Sequence, residues 1–345
     1  MRTDHDQIPE IALDWARSGR AVALATVVET WGSAPRPVGS QLVIDGEAQM
    51  MGSVSGGCVE GAVVAEALDA LEDGTPRLLT YGVSDDDAFA VGLACGGTIR
   101  ILVEPVGTGQ GPDLPLIEAL VEARAQGRPT AYVVGVDVPD SPAWPRLLMD
   151  PAAGTPLGDA VRAALTADKA GFATLGEEDW FIGVHNPALK LVIIGGVHIA
   201  QPLAAMATEA GYAVTIVDPR EAFASPERFP GRRIINDWPD AALDGLGLDS
   251  RTAVVTLTHD PKLDDPAIRT ALGSEVFYLG CLGSTRTHAK RVARLEDAGF
   301  TARQIARIHG PIGADIGAKS PAEIAIAILA QITERLRRVE SRPGV

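Results

Sequence analysis

The sequence predicts an α/β chain in which a C-terminal, Rossmann-like doubly wound parallel sheet follows an N-terminal α+β domain. Three observations predict it. From residue 189 onward, short apolar strand segments alternate with helical ones, the pattern of a parallel sheet with right-handed crossovers. The first of these strands, LKLVIIGG, runs into a glycine-containing turn before a helix, and the next strand ends at Asp218, as in a dinucleotide-binding unit. Upstream, helices and strands are mixed without that alternation, and TIRILVEPV alternates apolar with polar residues as a half-buried strand does.

In chain order, IPEIALDWARSGR has apolar residues at helical spacing and Gly19 near its end, so it is a helix. AVALATVVET is a strand, WGSAPRPVGS a turn-rich loop, and SQLVIDG with MMGSVSG a strand–turn–strand. VEGAVVAEALDALEDG is a helix stopped by Gly74, RLLTYGVS a strand, and DDDAFAVGLACGG a loop before TIRILVEPV. A glycine- and proline-rich break, GTGQGPDLP, then marks a boundary. Beyond it come a helix (LIEALVEARAQG), a strand (TAYVVGVDV), a proline-rich loop, a helix (GDAVRAALTA) and a strand (EEDWFIGVHN). In the last part, VHIAQPLAAMATEAG is a helix, and YAVTIVDPR, RRIINDW, TAVVTLTHD and VFYLGCLGS are strands with helical stretches between several of them. SPAEIAIAILAQITERLRR closes the chain as a helix, with Ser320 as N-cap, Pro321 in the first turn and Glu323 completing a capping box. The resulting division is residues 1–106, a middle segment 107–187 of unassigned role, and 188–345.

Bulk properties restrict the function. The chain has 345 residues, 46% of them apolar, and a formal charge of −15, so its surface repels nucleic-acid backbones. No apolar run approaches the about 20 residues of a membrane helix, and the N-terminus lacks a signal-peptide core. Cys58, Cys95 and Cys281 are odd in number and far apart, which argues against disulfides and a structural zinc site and suits a reducing cytoplasm.

Two groups of residues carry candidate chemistry. At the carboxyl edge of the predicted parallel sheet, where ligands of such sheets collect, lie Gly195, Gly196 and His198, then Asp218, then His259, Asp260 and Lys262, then Gly283, Ser284, Arg286 and Lys290. Arg286 and Lys290 are the best cations for a phosphate group. His198 is either a site residue or a polar first-turn residue. The loop departs from the G-x-G-x-x-G fingerprint because Val197 stands where the second glycine belongs, and its side chain crowds the approach of a pyrophosphate. In the N-terminal part, Ser33, Arg36 and the stretch GSVSGGCVE with Gly56, Gly57 and Cys58 form glycine-rich loops. The second precedes a helix, so its N–H groups are expected to face outward as an anion nest. Cys58 at a helix start is either an activated thiolate or a packed thiol. Cys95 and Cys281 read as structural.

Taken together, GSAPRPVGSQLVIDG, GSVSGGCVE, LACGGTIRILVEP, IIGGVHIAQPLA, VTLTHDPKLD, YLGCLGS and HGPIGADIGAKSPAEIAIAI resemble the XdhC/CoxI family, over residues of about 20–106 and 188–335. That family usually reads G-A-G-H-x-[GA] where this chain has GGVHIA. The resemblance implies an accessory protein for molybdenum hydroxylases of the xanthine dehydrogenase or carbon monoxide dehydrogenase type. It implies binding of the molybdenum cofactor, a molybdopterin with a terminal phosphate, held while a cysteine desulfurase supplies a sulfido ligand and then passed to the apo-enzyme. Under it the glycine-rich loops cradle phosphate or pterin, and Cys58 or Cys95 contacts the metal or relays sulfur. A homodimer is expected. The alternatives are an NAD(P)-dependent oxidoreductase and a Rossmann protein regulated by a nucleotide.

Overall fold

The computed structural model describes residues 7–32, 36–82, 97–137, 144–151 and 154–338. Ser33 and Cys95 fall outside them. The chain forms two compact units, residues 2–187 and 188–345.

The first unit contains two antiparallel sheets. Helix α1 (Ile8–Arg17), strands β1 (Val22–Trp31), β2 (Gln41–Asp45) and β3 (Met50–Gly52), helix α2 (Glu60–Asp73), and strands β4 (Arg77–Tyr81) and β5 (Thr98–Val106) come first. Their sheet has the order β3-β2-β1-β5-β4. Helix α3 (Leu114–Ala125), strands β6 (Thr130–Asp137) and β7 (Arg146–Met149), helix α4 (Pro156–Ala167), and strands β8 (Gly171–Leu175) and β9 (Glu178–His185) follow, with the sheet order β7-β6-β9-β8. The strands β7 and β8 are short and mixed in polarity, and the sequence pattern does not declare them.

The alternation in TIRILVEPV misleads about exposure. Ile99, Ile101 and Val103 of β5 pack with Val63, Ala67 and Ala70 of α2. On the other face Leu102 packs with Leu120, Tyr132 and Phe181 of the middle segment. Both faces are therefore covered, and residues 107–187 share a core with the first sheet. The polar residue that the alternation carries, Glu104, is fully buried and paired with Arg146, whose Nε lies 2.6 Å away.

The second unit is a single parallel sheet. It comprises β10 (Lys190–Ile194), α5 (Ala200–Glu209), β11 (Ala213–Val217), β12 (Arg233–Ile235), α6 (Pro239–Leu246), β13 (Thr252–Thr256), α7 (Pro261–Leu272), β14 (Tyr278–Cys281), α8 (Thr285–Asp297), α9 (Ala302–Ile305), β15 (Ile308–His309) and α10 (Pro321–Arg337). The order β12-β11-β10-β13-β14-β15 is the doubly wound 3-2-1-4-5-6 arrangement. The central strands are nearly all apolar because α5 and α10 cover one face and α6 and α7 the other, as parallel sheets require. The strand order reverses between β10 and β13, which opens a crevice at their carboxyl ends. Ser320 and Glu323 form the expected capping box at α10.

Candidate functional site

The glycine turn after β10 is shaped by the chain's own contacts. Gly195 has φ +100°, and a Cβ there would sit 2.4 Å from the Thr258 methyl carbon. A Cβ on Gly196 would sit 2.3 Å from the Phe223 carbonyl oxygen. Only glycine fits either place, because the β13 loop and the segment after β11 press against the turn. Val197 packs against the core beneath α5, and His198 is exposed.

Asp218 is fully buried, and both of its oxygens are engaged. Oδ2 accepts from the Gly196 N–H at 2.9 Å and from Arg220 Nη2 at 2.7 Å. Oδ1 accepts from the Arg220 backbone N–H at 3.0 Å and from Arg220 Nε at 2.8 Å. Burial alone would raise the carboxyl pKa, but these bonds outweigh it and hold the group ionised below its ordinary range. The Arg220 guanidinium in turn lies over the Phe223 ring, 3.9 Å from its centroid. The acid that would hold a nucleotide ribose therefore holds Arg220, and it also takes the Gly196 N–H.

Chemistry collects instead one strand further along. His259 follows β13 with φ +62°, a backbone region that costs a non-glycine residue. It is held there by Asp264: the carboxylate accepts from the His259 N–H at 3.1 Å and from Thr258 Oγ1 at 2.6 Å. Asp260 caps α7 by accepting from the Lys262 N–H at 2.9 Å. Ser284 caps α8 by accepting from the Thr287 N–H at 3.2 Å. Between α7 and α8 runs a cleft of about 480 Å³, walled by His259, Pro261, Arg286, Thr287, Lys290, Arg291 and Arg294, with the carboxylate of Asp264 also in its lining. Gly283 lies close to two of these walls, since a Cβ there would be 3.0 Å from Thr287 and 3.8 Å from His259 Nδ1. His259, Arg286 and Lys290, which the sequence had placed on consecutive strand ends, thus meet. Arg291 and Arg294 were missed; for Arg294 the signal was its helical spacing with Arg286 and Lys290 on one face, and for Arg291 the sequence carries no such signal.

In the first unit the loop before α2 corrects the expected outward nest. Its donors point inward at Glu60. Oε1 of Glu60 accepts from Ser53 Oγ at 2.9 Å, the Val54 N–H at 3.2 Å and the Ser55 N–H at 2.9 Å. Oε2 accepts from the Gly57 N–H at 2.8 Å and from Ser55 Oγ. The Gly56 N–H goes to Ser53 Oγ at 3.0 Å. The signal was in the sequence, because the stretch GSVSGGCVE ends in its own anion. Cys58 is partly buried against the α2 core. Arg36 is half-buried, and its Nε has no hydrogen-bond partner among the described residues. Cys281, fully buried at the end of β14, has its thiol pushed up to about 12, chiefly by burial.

Residues 15–82 match the XdhC and CoxI family, and residues 191–332 match the XdhC Rossmann domain. The chain is also 30% identical over 341 residues to the molybdenum cofactor insertion chaperone PaoD of Escherichia coli (strain K12), covering 99% of this chain and 92% of that one. It belongs to the XdhC and CoxI family. A second relative of this family member is a probable xanthine dehydrogenase subunit of Bacillus subtilis (strain 168), 28% identical, with 92% of this chain and 93% of that one covered. A crystal structure described as a xanthine dehydrogenase from Bacillus halodurans superposes with a TM-score of 0.73 at 23% identity, over 97% of this chain and 98% of that one; it supports the fold. The XdhC Rossmann match contains the whole α7–α8 cleft, and the XdhC and CoxI match contains the Glu60 loop. Residues 107–187 lie outside both.

Proposed function

We propose that this XdhC and CoxI family protein binds the molybdenum cofactor as cargo and inserts it into an apo molybdenum hydroxylase of the xanthine dehydrogenase or carbon monoxide dehydrogenase type. In this reading a cysteine desulfurase supplies the sulfido ligand while the cargo is held. The observation that carries it is the similarity to PaoD, which runs through both units and nearly the full length of both chains. The carboxyl edge of the parallel sheet suits a carrier. Its exposed cations, Arg286 and Lys290, stand at the rim of the sheet in contact with solvent, where they can grip an anionic cargo and release it. Cys58 remains in place as a sulfur or metal contact, and Cys281 is too deeply buried for that role. We place the protein in the cytoplasm as a homodimer; sedimentation at micromolar concentration tests the dimer.

The test is retention of cofactor. Purified protein is incubated anaerobically with molybdenum cofactor and desalted, and the bound pterin is released, oxidised and read by fluorescence beside a molybdenum measurement. Near-stoichiometric pterin with the protein is the expected result. Its absence from correctly folded protein rejects the reading. A nucleotide-binding function is favoured by the 3-2-1-4-5-6 strand order and by Asp218 after the second strand. The engagement of Asp218 by Arg220 and Gly196 weighs against it. A thermal shift on adding NAD(P) would revive it.

A further inference from the structure

We propose that the α7–α8 cleft is a phosphate-binding site. The first ground is Arg291. Its side chain is only 2% exposed, and it stands in the cleft wall. Nη2 donates to the Leu282 carbonyl at 3.0 Å, but Nε and Nη1 are buried with no hydrogen-bond partner among the described residues. The nearest carboxylate, Asp264, is 3.9 Å away and is occupied by Thr258 Oγ1 and the His259 N–H. A buried guanidinium with two idle donors is costly unless an anion completes it.

The second ground is the charge pattern. Arg286, Lys290 and Arg294 follow one another at i, i+4 on α8, an arrangement that works against the helix by like-charge repulsion. Arg294 is relieved by Asp265, with bonds of 2.6 and 2.9 Å. Among the described residues Arg286 and Lys290 have no carboxylate partner, although the chain as a whole carries −15. The third ground is shape. The cleft begins at the first turn of α8, where helix N–H groups favour an anion. His259 and Thr287 stand beside it, and Gly283 keeps the intervening space free of a Cβ. A tetrahedral dianion with several acceptor oxygens suits the donors left open here, those of Arg286, Lys290 and Arg291. Assigning that phosphate to the terminal phosphate of the pterin cargo rests on the function proposed above; the phosphate site itself does not.

The experiment titrates the full chain with inorganic phosphate and with pyrophosphate, by calorimetry and by phosphorus NMR, and in parallel measures pterin retention. The variants are Arg286→Ala/Lys290→Ala, whose targets are exposed, and Arg291→Met, checked for folding by circular dichroism. Arg17→Ala/Arg162→Ala removes the same charge from the other unit as a control. Saturable binding near one equivalent, weakened at least about tenfold by the Arg286/Lys290 pair and unchanged in the control, is expected. Weakening of pterin retention by the same pair identifies the phosphate as the cargo's. Loss of phosphate binding with pterin retention intact supports the site and makes its ligand a separate phosphate compound. Phosphate binding in a protein that retains no pterin likewise supports the site while the cofactor reading falls. No saturable phosphate or pyrophosphate binding, or equal weakening in the control, overturns the proposal.

Discussion

Ser55 engages the carboxylate of Glu60 twice, with its backbone N–H at 2.9 Å and with its hydroxyl, and so the loop Gly52–Val59 folds around an anion that the sequence itself supplies. The same hydroxyl also accepts from the Val59 N–H at 2.8 Å, which ties the loop to the start of α2. Burial would raise the Glu60 pKa, but the bonds from Ser55 and Ser53 overcome it and hold the group at about 2. Glu60→Gln places an amide NH₂ against donors, so some of them lose their acceptor inside the protein. A loss of about 2–4 kcal/mol is expected, seen as a fall in Tm on the order of 5–10 °C for a unit of this size. A change below about 1 °C would show that the loop is held by other contacts.

Acid should act on the two units in different pH windows. His309 stacks on Tyr278 with ring centroids 4.8 Å apart, and its pKa is lowered from 6.5 to about 4, first by burial and then by Arg335. The folded state refuses a proton that the unfolded state accepts. Its stabilisation is complete above pH 6.5 and is lost as pH falls toward 4, by at most about 3 kcal/mol. Glu60 has its pKa lowered from 4.5 to about 2, so its contribution is intact above pH 4.5 and is lost between there and 2. Residues 188–345 should therefore weaken before residues 2–187. Denaturant midpoints taken from pH 8 to pH 3 test this, and His309→Gln should reduce the first decline without touching the second; what remains of the first belongs to His288, whose pKa is also lowered by burial.

Much of this architecture was legible in the sequence because it depends on local chemistry. Alternating apolar strands and helices declare the parallel sheet, and S-P-A-E declares the start of α10. What stayed hidden depends on what lies across space. Glu104 reads as the polar face of a strand until Arg146 arrives from 42 residues away to pair with it. The serine–glycine stretch reads as a free anion nest until Glu60 closes it. Gly195 and Gly196 read as pyrophosphate glycines, yet their neighbours are Thr258 and Phe223. The cleft was half visible: Arg286 and Lys290 stand out as exposed cations, whereas Arg291 gains its meaning only from being buried with two of its three nitrogens unpartnered among the described residues.

Restoring the missing glycine should not restore a dinucleotide site. Val197→Gly restores the fingerprint glycine at the cost of a side chain packed against the core, but the Gly196 N–H still donates to Asp218 and Arg220 still covers both oxygens of that acid. Calorimetry should find NAD and NADP binding to Val197→Gly weaker than about 1 mM, that is, less than about 4 kcal/mol of binding free energy. Micromolar binding would mean that the Asp218–Arg220 pair opens readily and that Val197 alone closes the site.

Cys281 should be chemically silent in the folded protein. Its thiol is fully buried and pushed up to about 12, so at pH 8 only about one molecule in ten thousand carries the reactive thiolate. Alkylation with iodoacetamide followed by peptide mass analysis should leave Cys281 unmodified in the native protein and modify it in denaturant. Native labelling of Cys281 within minutes would overturn its reading as a structural thiol.

The buried triad of Glu104, Arg146 and Tyr132 allows a double-mutant cycle that separates charge pairing from packing. Glu104 Oε1 accepts from Arg146 Nε at 2.6 Å and from the Tyr132 hydroxyl at 3.2 Å, and Glu104 is fully buried. Arg146→Met leaves that carboxylate without its cation, at an expected cost of about 3–5 kcal/mol. Glu104→Leu alone strands the guanidinium but allows it to turn toward water, because Arg146 retains 7% exposure of its side chain; its cost should be smaller. The double variant Glu104→Leu/Arg146→Met removes both desolvated charges, and its stability should lie closer to the natural protein than that of Arg146→Met. Denaturant unfolding of the four proteins reads the coupling directly. Strict additivity would show that the two side chains act on stability independently despite their contact.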